Sequence, residues 1–369
     1  MKALVRWLED RLRVEEERPL PLWLRTGLGG LALLYRGLYH VARAPYRYGL
    51  LRPVHPGVPV ISVGNLAVGG TGKTPCVIWL ANALRRKGFF PVVLAHGYKG
   101  RSRDAVVVAE GKGGFPSPVA GDEATLVALA CPGVPVVAGR DRVAAAALAV
   151  EKFAPEVLLA DDAFQHWALA RDLDLVLLDA EKPFGNGRLL PRGWLREPVE
   201  ALRRANGLIL VGEGKPPALA WTGRPLFRAR ILPVTLTPWE RWRQGHRDPL
   251  GQRREKVDVL CGIARPARFL ASLIAVGLVP VERLIVGDHE QPTPEELRSW
   301  AAKSRRPVVM TEKDAVKFTP SMAAILKEKG RGAWVLGVVF CPEDEEILLG
   351  FAVEAINRAR ERPGGDGLR

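Results

Sequence analysis

Short apolar runs alternate along most of this chain with longer stretches of helical period, and the alternation predicts the fold. Residues 59–63 read as a strand, 73–87 as a helix with Pro75 in its first turn and Gly88 ending it, and 91–95 as the next strand. Further strands are predicted at 105–109, 134–138, 156–160, 174–178 and 208–211, and helices at 122–130, 141–152 and 198–204. Such a series implies a mostly parallel sheet covered on both faces, with ligands at the carboxyl ends of the strands.

A Gly-, Lys- and Pro-bearing stretch at 213–217 marks a boundary. Residues 225–236 suit an extended connector, and 241–256 are polar with little period. A second alternating unit follows: strand 257–261, helix 266–275 ended by Gly277, strand 282–286, helix 294–303, strands 307–311 and 333–340, and a last helix before a frayed tail at 363–369. The expected organisation is an N-terminal segment at 1–52, a sheet domain at 53–215, a linker at 216–256 and a smaller α/β domain at 257–369.

Within the N-terminal segment, residues 22–44 are rich in Leu and Gly. At helical period Arg25, Arg36 and Arg43 fall within about 20° of one another, while Trp23, Leu31, Leu34, Leu38 and Val41 occupy the far side. Tyr35, Tyr39, Tyr46 and Tyr48 crowd the C-terminal end, where such rings suit a lipid headgroup layer. The uncharged run from Thr26 to Tyr35 is far shorter than the ~20 residues of a spanning helix. A helix lying in a membrane surface is the expectation; a helix packed on its own domain, or a tilted span with Arg36 snorkelling, is the alternative. Leu4, Leu8 and Leu12 suggest a weaker amphipathic helix before it, and no signal-peptide layout is present.

Charge sharpens this picture. The net charge is +14, and between Arg18 and Arg103 there is no Asp or Glu at all against thirteen Lys or Arg. A basic face attracts nucleic acid, anionic lipid or phosphorylated substrates. Interleaved Leu and Tyr, few base-reading polar groups and no nucleic-acid motif argue against nucleic acid. At 369 residues the chain is long enough for two domains. Cys76, Cys131, Cys261 and Cys341 are scattered, as expected of reduced structural thiols in a cytosolic compartment.

The chemistry is concentrated after two of the strands. Gly69-Gly70-Thr71-Gly72-Lys73-Thr74 joins a strand to a helix, so backbone N–H groups can face phosphate oxygens while Lys73 neutralises charge and Thr74 ligates Mg²⁺. The usual pattern has Gly where Ala67 stands; Gly64, Gly69 and Gly70 must supply the flexibility. Asp161-Asp162, ending a later strand, offers the hard oxygen ligands such a metal requires. Polar clusters at Gly121-Asp122-Glu123, Gln165-His166, the loop 184–198 and Gly287-Asp288-His289-Glu290 also follow strands, although helix caps and solvated turns account for each taken singly. From patterning alone the chain is a two-domain, Mg²⁺-dependent nucleotide enzyme of P-loop NTPase-like fold.

Taken in order, Val63-Gly64-Asn65-Leu66, the glycine-rich loop through Pro75, Gly121-Asp122-Glu123, Gly139-Arg140-Asp141-Arg142, Asp161-Asp162-Ala163-Phe164-Gln165-His166, Leu190-Pro191 with Leu195-Arg196-Glu197-Pro198, Asp288-His289 and Thr311-Glu312-Lys313-Asp314 closely resemble the tetraacyldisaccharide 4'-kinase family of lipid A biosynthesis. The resemblance spans residues 59–340, departing at His96, Ala163, Arg192, Trp194 and Glu290. It implies transfer of the ATP γ-phosphate to the 4'-hydroxyl of a lipid A disaccharide monophosphate, at the cytoplasmic face of the inner membrane. No obligate protein partner is expected.

The resemblance also implies roles. Asp122 would accept the sugar hydroxyl's proton with His289 as its dyad partner, and Lys73 would hold the β- and γ-phosphates. Thr74, Asp161 and Asp162, with Glu197 as a further candidate, would hold Mg²⁺. Arg196 would be a phosphate contact from a lid, and Glu123, Arg142, Gln165 and His166 substrate-side or supporting groups. Two rival readings stand beside it: a P-loop ATPase or ligase acting on a soluble substrate, and a nucleotide-switched binding protein.

Overall fold

The computed structural model describes residues 21–97, 105–111, 121–215, 218–219, 222–288 and 290–362. The N-terminal helix expected before residue 18, the tail and His289 lie outside them. The described residues begin with helix α1 (Leu22–Arg47), then β1 (Val60–Asn65), α2 (Lys73–Arg86), β2 (Pro91–His96), β3 (Val106–Ala109), α3 (Asp122–Ala130), β4 (Val136–Gly139), α4 (Arg142–Phe153), β5 (Val157–Asp161), β6 (Leu173–Asp179) and β7 (Gly207–Val211). It continues with β8 (Leu226–Pro238), α5 (Trp239–Arg243), β9 (Glu255–Cys261), α6 (Pro266–Ala275), β10 (Leu278–Ile285), α7 (Pro294–Ala301), β11 (Val308–Thr311), α8 (Glu312–Lys317), α9 (Pro320–Glu328), β12 (Ala333–Pro342) and α10 (Glu345–Glu361).

The twelve strands among the described residues form one sheet in the order β10-β9-β11-β12-β8-β7-β6-β1-β5-β2-β4-β3. Neighbours run parallel except β3 against β4 and β8 against β12. Every residue of β1, β5, β6 and β7 is buried, as expected for strands covered on both faces.

The sequence expectation of an extended connector at 225–236 becomes β8, a strand of 13 residues. Its first part, Leu226 to Ala229, pairs in parallel with β7, and from Ala229 to Pro238 it pairs with β12. Thus β8 runs on beyond the carboxyl edge of β7, and β12, antiparallel to it, points back. The carboxyl ends of the two sets of strands therefore face each other, and the loops that follow them meet between.

Several local expectations needed correction. Residues 199–204 form a 3-10 turn and not an α-helix. The polar stretch after 240 is anchored by α5, whose Trp239 and Trp242 are buried. Helices α8 and α9 lacked a helical pattern long enough to read, but each has a threonine cap: Thr311 Oγ1 accepts from Asp314 N and Thr319 Oγ1 from Met322 N. Helix α10, although it comes from the far end of the chain, packs Leu348, Leu349, Ala352 and Ile356 into the same core as Val77, Leu80 and Leu84 of α2.

Helix α1 touches the body along one stripe and leaves the rest open. Leu28 is its sole buried residue, whereas Trp23, Leu34, Leu38 and Val41 are 74, 60, 59 and 69% exposed. Arg25 and Arg36 are exposed. Tyr35 and Tyr39 instead turn inward on the stripe of Leu28, and Arg43, although it lies at the angle of Arg25 and Arg36, is drawn in by Tyr39 and Trp167. No helix among the described residues is long and apolar enough to cross a membrane. All four cysteines are free thiols, three of them buried.

Candidate active site

The loop after β1 is shaped by what its backbone must do. Gly72, the cap of α2, has φ +89°, and a Cβ placed there would crowd Ile231 Cδ1 of β8. The conformation is one that side chains rarely adopt, and Ile231 would have to move its terminal methyl to admit one. Gly69 is also left-handed, with φ +117°. Ala67, at the position where the pattern favours glycine, has no positive φ; it forms a bridge with Leu195, while Val68 N donates to Trp194 O at 2.8 Å. That limb of the loop is pinned to the 184–198 segment and needs no glycine. From within, buried Asn65 donates to Ala67 O at 2.7 Å and to Thr71 Oγ1 at 2.9 Å.

Because β5 pairs with β1 in parallel, Val63 opposite Asp161, the acidic pair arrives beside the loop. Thr74 Oγ1 stands 3.4 Å from Asp161 Oδ2. Asp161 Oδ1 is buried with no hydrogen-bond partner. Burial first, then the charges of Glu123 and Asp162, push this carboxyl up to about 7. An orphaned hard oxygen next to a threonine hydroxyl fits a divalent cation. Among the described residues no three His, Cys, Asp or Glu side chains form a ready metal cage, so protein ligands alone would not complete the shell.

Asp162 adopts φ +52°, and its carboxylate meets two cations. Lys73 Nζ lies 3.6 Å from it, and Arg196 grips both its oxygens at 2.7 and 3.0 Å. Burial works to raise the Asp162 pKa, but Lys73 and Arg196 outweigh it and hold the carboxyl well below its ordinary range. Burial likewise depresses the Lys73 ammonium against the pull of Asp162. Arg196 also reaches the Asn65 side chain and, at 3.2 Å, the Asn65 carbonyl, where Gln165 Nε2 donates at 2.9 Å. Glu197, 2% exposed, pairs with Arg204 at 2.8 Å.

Arg142 opens α4, which Asp141 caps by accepting from Val143 N and Ala144 N. Its buried guanidinium donates to Leu94 O at 3.1 Å and to Asp161 O, tying β2 to β5 behind the Asp161 carboxylate. His96 and His166 stand with ring centres 6.1 Å apart; burial and then Arg142 push His166 down to about 4, leaving it neutral. Asp122 and Glu123 occupy the first turn of α3, with Glu123 N donating to Asp122 Oδ1 at 3.1 Å.

Two bridges between the facing edges carried no signal of pairing in the sequence. Lys313, at the start of α8, ion-pairs with Glu123. Burial lowers the Lys313 pKa, but Glu123, Asp288 and Asp122 together raise it further, so both aspartates bear on this ammonium. Asp179, ending β6, receives Arg268 at 2.7 Å and also Arg265, whose Nε would stand 3.6 Å from a Cβ on Gly69. Asn65 was visible only as part of a motif, and Arg204 not at all.

Comparison with known proteins settles the family. Residues 24–351 match the family model described as "Tetraacyldisaccharide-1-P 4'-kinase". The chain belongs to that family. The tetraacyldisaccharide 4'-kinase of Anaeromyxobacter dehalogenans strain 2CP-C is 41% identical over 358 residues, covering 91% of either chain. That of Halorhodospira halophila is 38% identical over 84% of this chain and 86% of its own. In three dimensions the chain is similar to a crystal structure of the "apo" form of LpxK from Aquifex aeolicus in complex with ATP, with a TM-score of 0.73, 32% identity, and coverage of 90% of this chain and 99% of that one. As expected from its motifs, this tetraacyldisaccharide-1-P 4'-kinase family member has the α/β fold of its relatives and is an ATP-dependent kinase.

Proposed function

We propose that this kinase transfers the γ-phosphoryl group of ATP, with Mg²⁺ held at Thr74 and Asp161, to the 4'-hydroxyl of a tetraacylated disaccharide 1-phosphate at a membrane surface. The observation that carries the metal assignment is the orphaned Asp161 Oδ1 beside Thr74. The N–H groups opening α2 would receive the phosphate tail, and Lys73 would exchange part of its attraction to Asp162 for the β- and γ-oxygens. Mg²⁺, when bound, neutralises charge on those oxygens.

Asp122 would take the proton as the sugar oxygen bonds to phosphorus and the bond to the ADP oxygen breaks, with His289 as its partner. Support comes from Lys313, which feels both Asp122 and the residue preceding His289. Asp162, Arg142, Gln165, His166 and Arg196 would hold the surrounding charge and shape, and Glu197 would act through Arg204 and not on the metal. Closure of the facing edges would exclude water, which competes as acceptor.

The open apolar flank of α1 would rest among acyl chains at the cytoplasmic face of the inner membrane, with Arg25 and Arg36 toward anionic headgroups. Labelled ATP, Mg²⁺ and a tetraacyldisaccharide 1-phosphate in mixed micelles test the reading. Label should appear on the lipid and disappear with Asp122→Asn. Release of label only as free phosphate, or full turnover by that variant, would overturn it.

A further inference from the structure

The inward stripe of α1 is not a plain apolar anchor. Tyr35 Oη donates to the backbone oxygen of Arg196 at 2.8 Å, and Arg196 N donates to Leu66 O at 2.8 Å. One peptide segment is thus clamped between α1 and the phosphate loop, and its guanidinium reaches Asp162 and Asn65. Further along the helix, Arg43 donates to the Tyr39 hydroxyl and stacks over Trp167, 4.0 Å from its ring centre. Arg204 lies at the same distance over Trp167, covers Phe164 at 4.2 Å and pairs with Glu197. Hence α1 is seated on the two segments that carry Asp162 and Arg196, five residues or fewer from each.

We infer that Tyr35 is a positioning residue for phosphoryl transfer: it fixes the Arg196 carbonyl, and through it the reach of the Arg196 guanidinium, so the seating of α1 sets the strength of the ATP site. A helix serving only as an anchor would be satisfied by apolar contacts. Here it uses a directed hydrogen bond to the main chain of a residue that itself grips an active-site carboxylate. Stacked guanidinium groups on Trp167 add stiffness to the same seat, since a cation held over an indole face is both attracted and oriented. The inference rests on the assignment of Arg196 to the phosphate side of the site.

Calorimetric titration of the full chain with MgATP, without lipid, tests it in four proteins: parent, Tyr35→Phe, Arg196→Ala and the double variant. Losing one such bond should weaken ATP binding roughly three- to tenfold in Tyr35→Phe. Arg196→Ala should weaken it at least as much, and the double variant should match Arg196→Ala. Parent-like ATP affinity in Tyr35→Phe, or a full Tyr35 penalty persisting in the Arg196→Ala background, would overturn the inference while leaving the assignment of Arg196 intact. Parent-like affinity in Arg196→Ala would overturn both. Melting temperatures of all four separate a loosened helix from a mispositioned arginine: a fall in melting temperature with unchanged affinity counts against positioning.

Discussion

Lys313, just past the carboxyl end of β11, ion-pairs with Glu123 in the first turn of α3, joining the two facing edges of the sheet across the cleft. Both side chains keep about a quarter of their surface in solvent, so screening limits what the pair adds to stability. Lys313→Met should lower unfolding free energy in urea by about 1–2 kcal/mol yet cut kcat at least tenfold, because it loosens the turn that presents Asp122. The exchange Glu123→Lys with Lys313→Glu should recover more turnover than either single change. Equal losses in all three would show that the pair does not join the edges.

Asp161 gives a pH signature. Its carboxyl titrates at about 7 in the folded chain against 3.8 for an unperturbed aspartate, so the folded state binds the extra proton between those values. The stability it confers is complete below about pH 4 and is lost as pH rises through 7. Mg²⁺ should therefore raise the melting temperature more at pH 8 than at pH 5. Asp161→Asn should flatten this dependence, gain on the order of 1–4 kcal/mol over the metal-free parent at pH 8, and lose turnover. A parent-like Mg²⁺ response in the variant would refute the ligand assignment.

Glycine at position 72 is favoured by its left-handed backbone, and the terminal methyl of Ile231 crowds the space that a Cβ would fill. Gly72→Ala should weaken ATP binding at least tenfold and destabilise by about 1–2 kcal/mol from the backbone alone. Adding Ile231→Ala removes the clash but not the strain, so it should restore only part of the affinity. Calorimetry on both proteins checks this; full restoration would mean that crowding, not conformation, decides the position.

Leu34→Glu with Leu38→Glu places two charges on the open flank of α1, where both leucines are more than half exposed. Melting temperature and ATP affinity should stay within error of the parent, while flotation with phosphatidylglycerol vesicles and turnover of lipid substrate should drop together. Undiminished flotation would assign that flank to something other than lipid.

Local chemistry was legible in the sequence because it is carried by short, ordered motifs: the glycine-rich loop, the adjacent aspartates and the first turn of α3 all lie where their spacing put them. What escaped reading depends on contacts between distant residues. Nothing near Arg265 indicates that Asp179, 86 positions away, will receive it. Helical period grouped Arg43 with Arg25 and Arg36 and gave no sign that Arg196 would receive Tyr35 or that Trp167 would lie under Arg43. Strand β8 read as a connector because its alternating, half-buried residues lack the solid apolar signature of β6 or β7.

That strand also works as a spacer of fixed length. Outside the bulge at Val234, each residue of β8 advances about 3.3 Å and reverses the side to which the next side chain points. Inserting one residue between Ala229 and Pro233 would reverse the faces of the strand beyond it unless a second bulge took up the extra residue. Inserting two would keep the faces but lift the upper half by about 6–7 Å, too far for Lys313 to reach Glu123. The span of the catalytic gap is thus written in the count of peptide units along a single ribbon, and tuning for a larger or smaller sugar headgroup must come from the loops on either side of it.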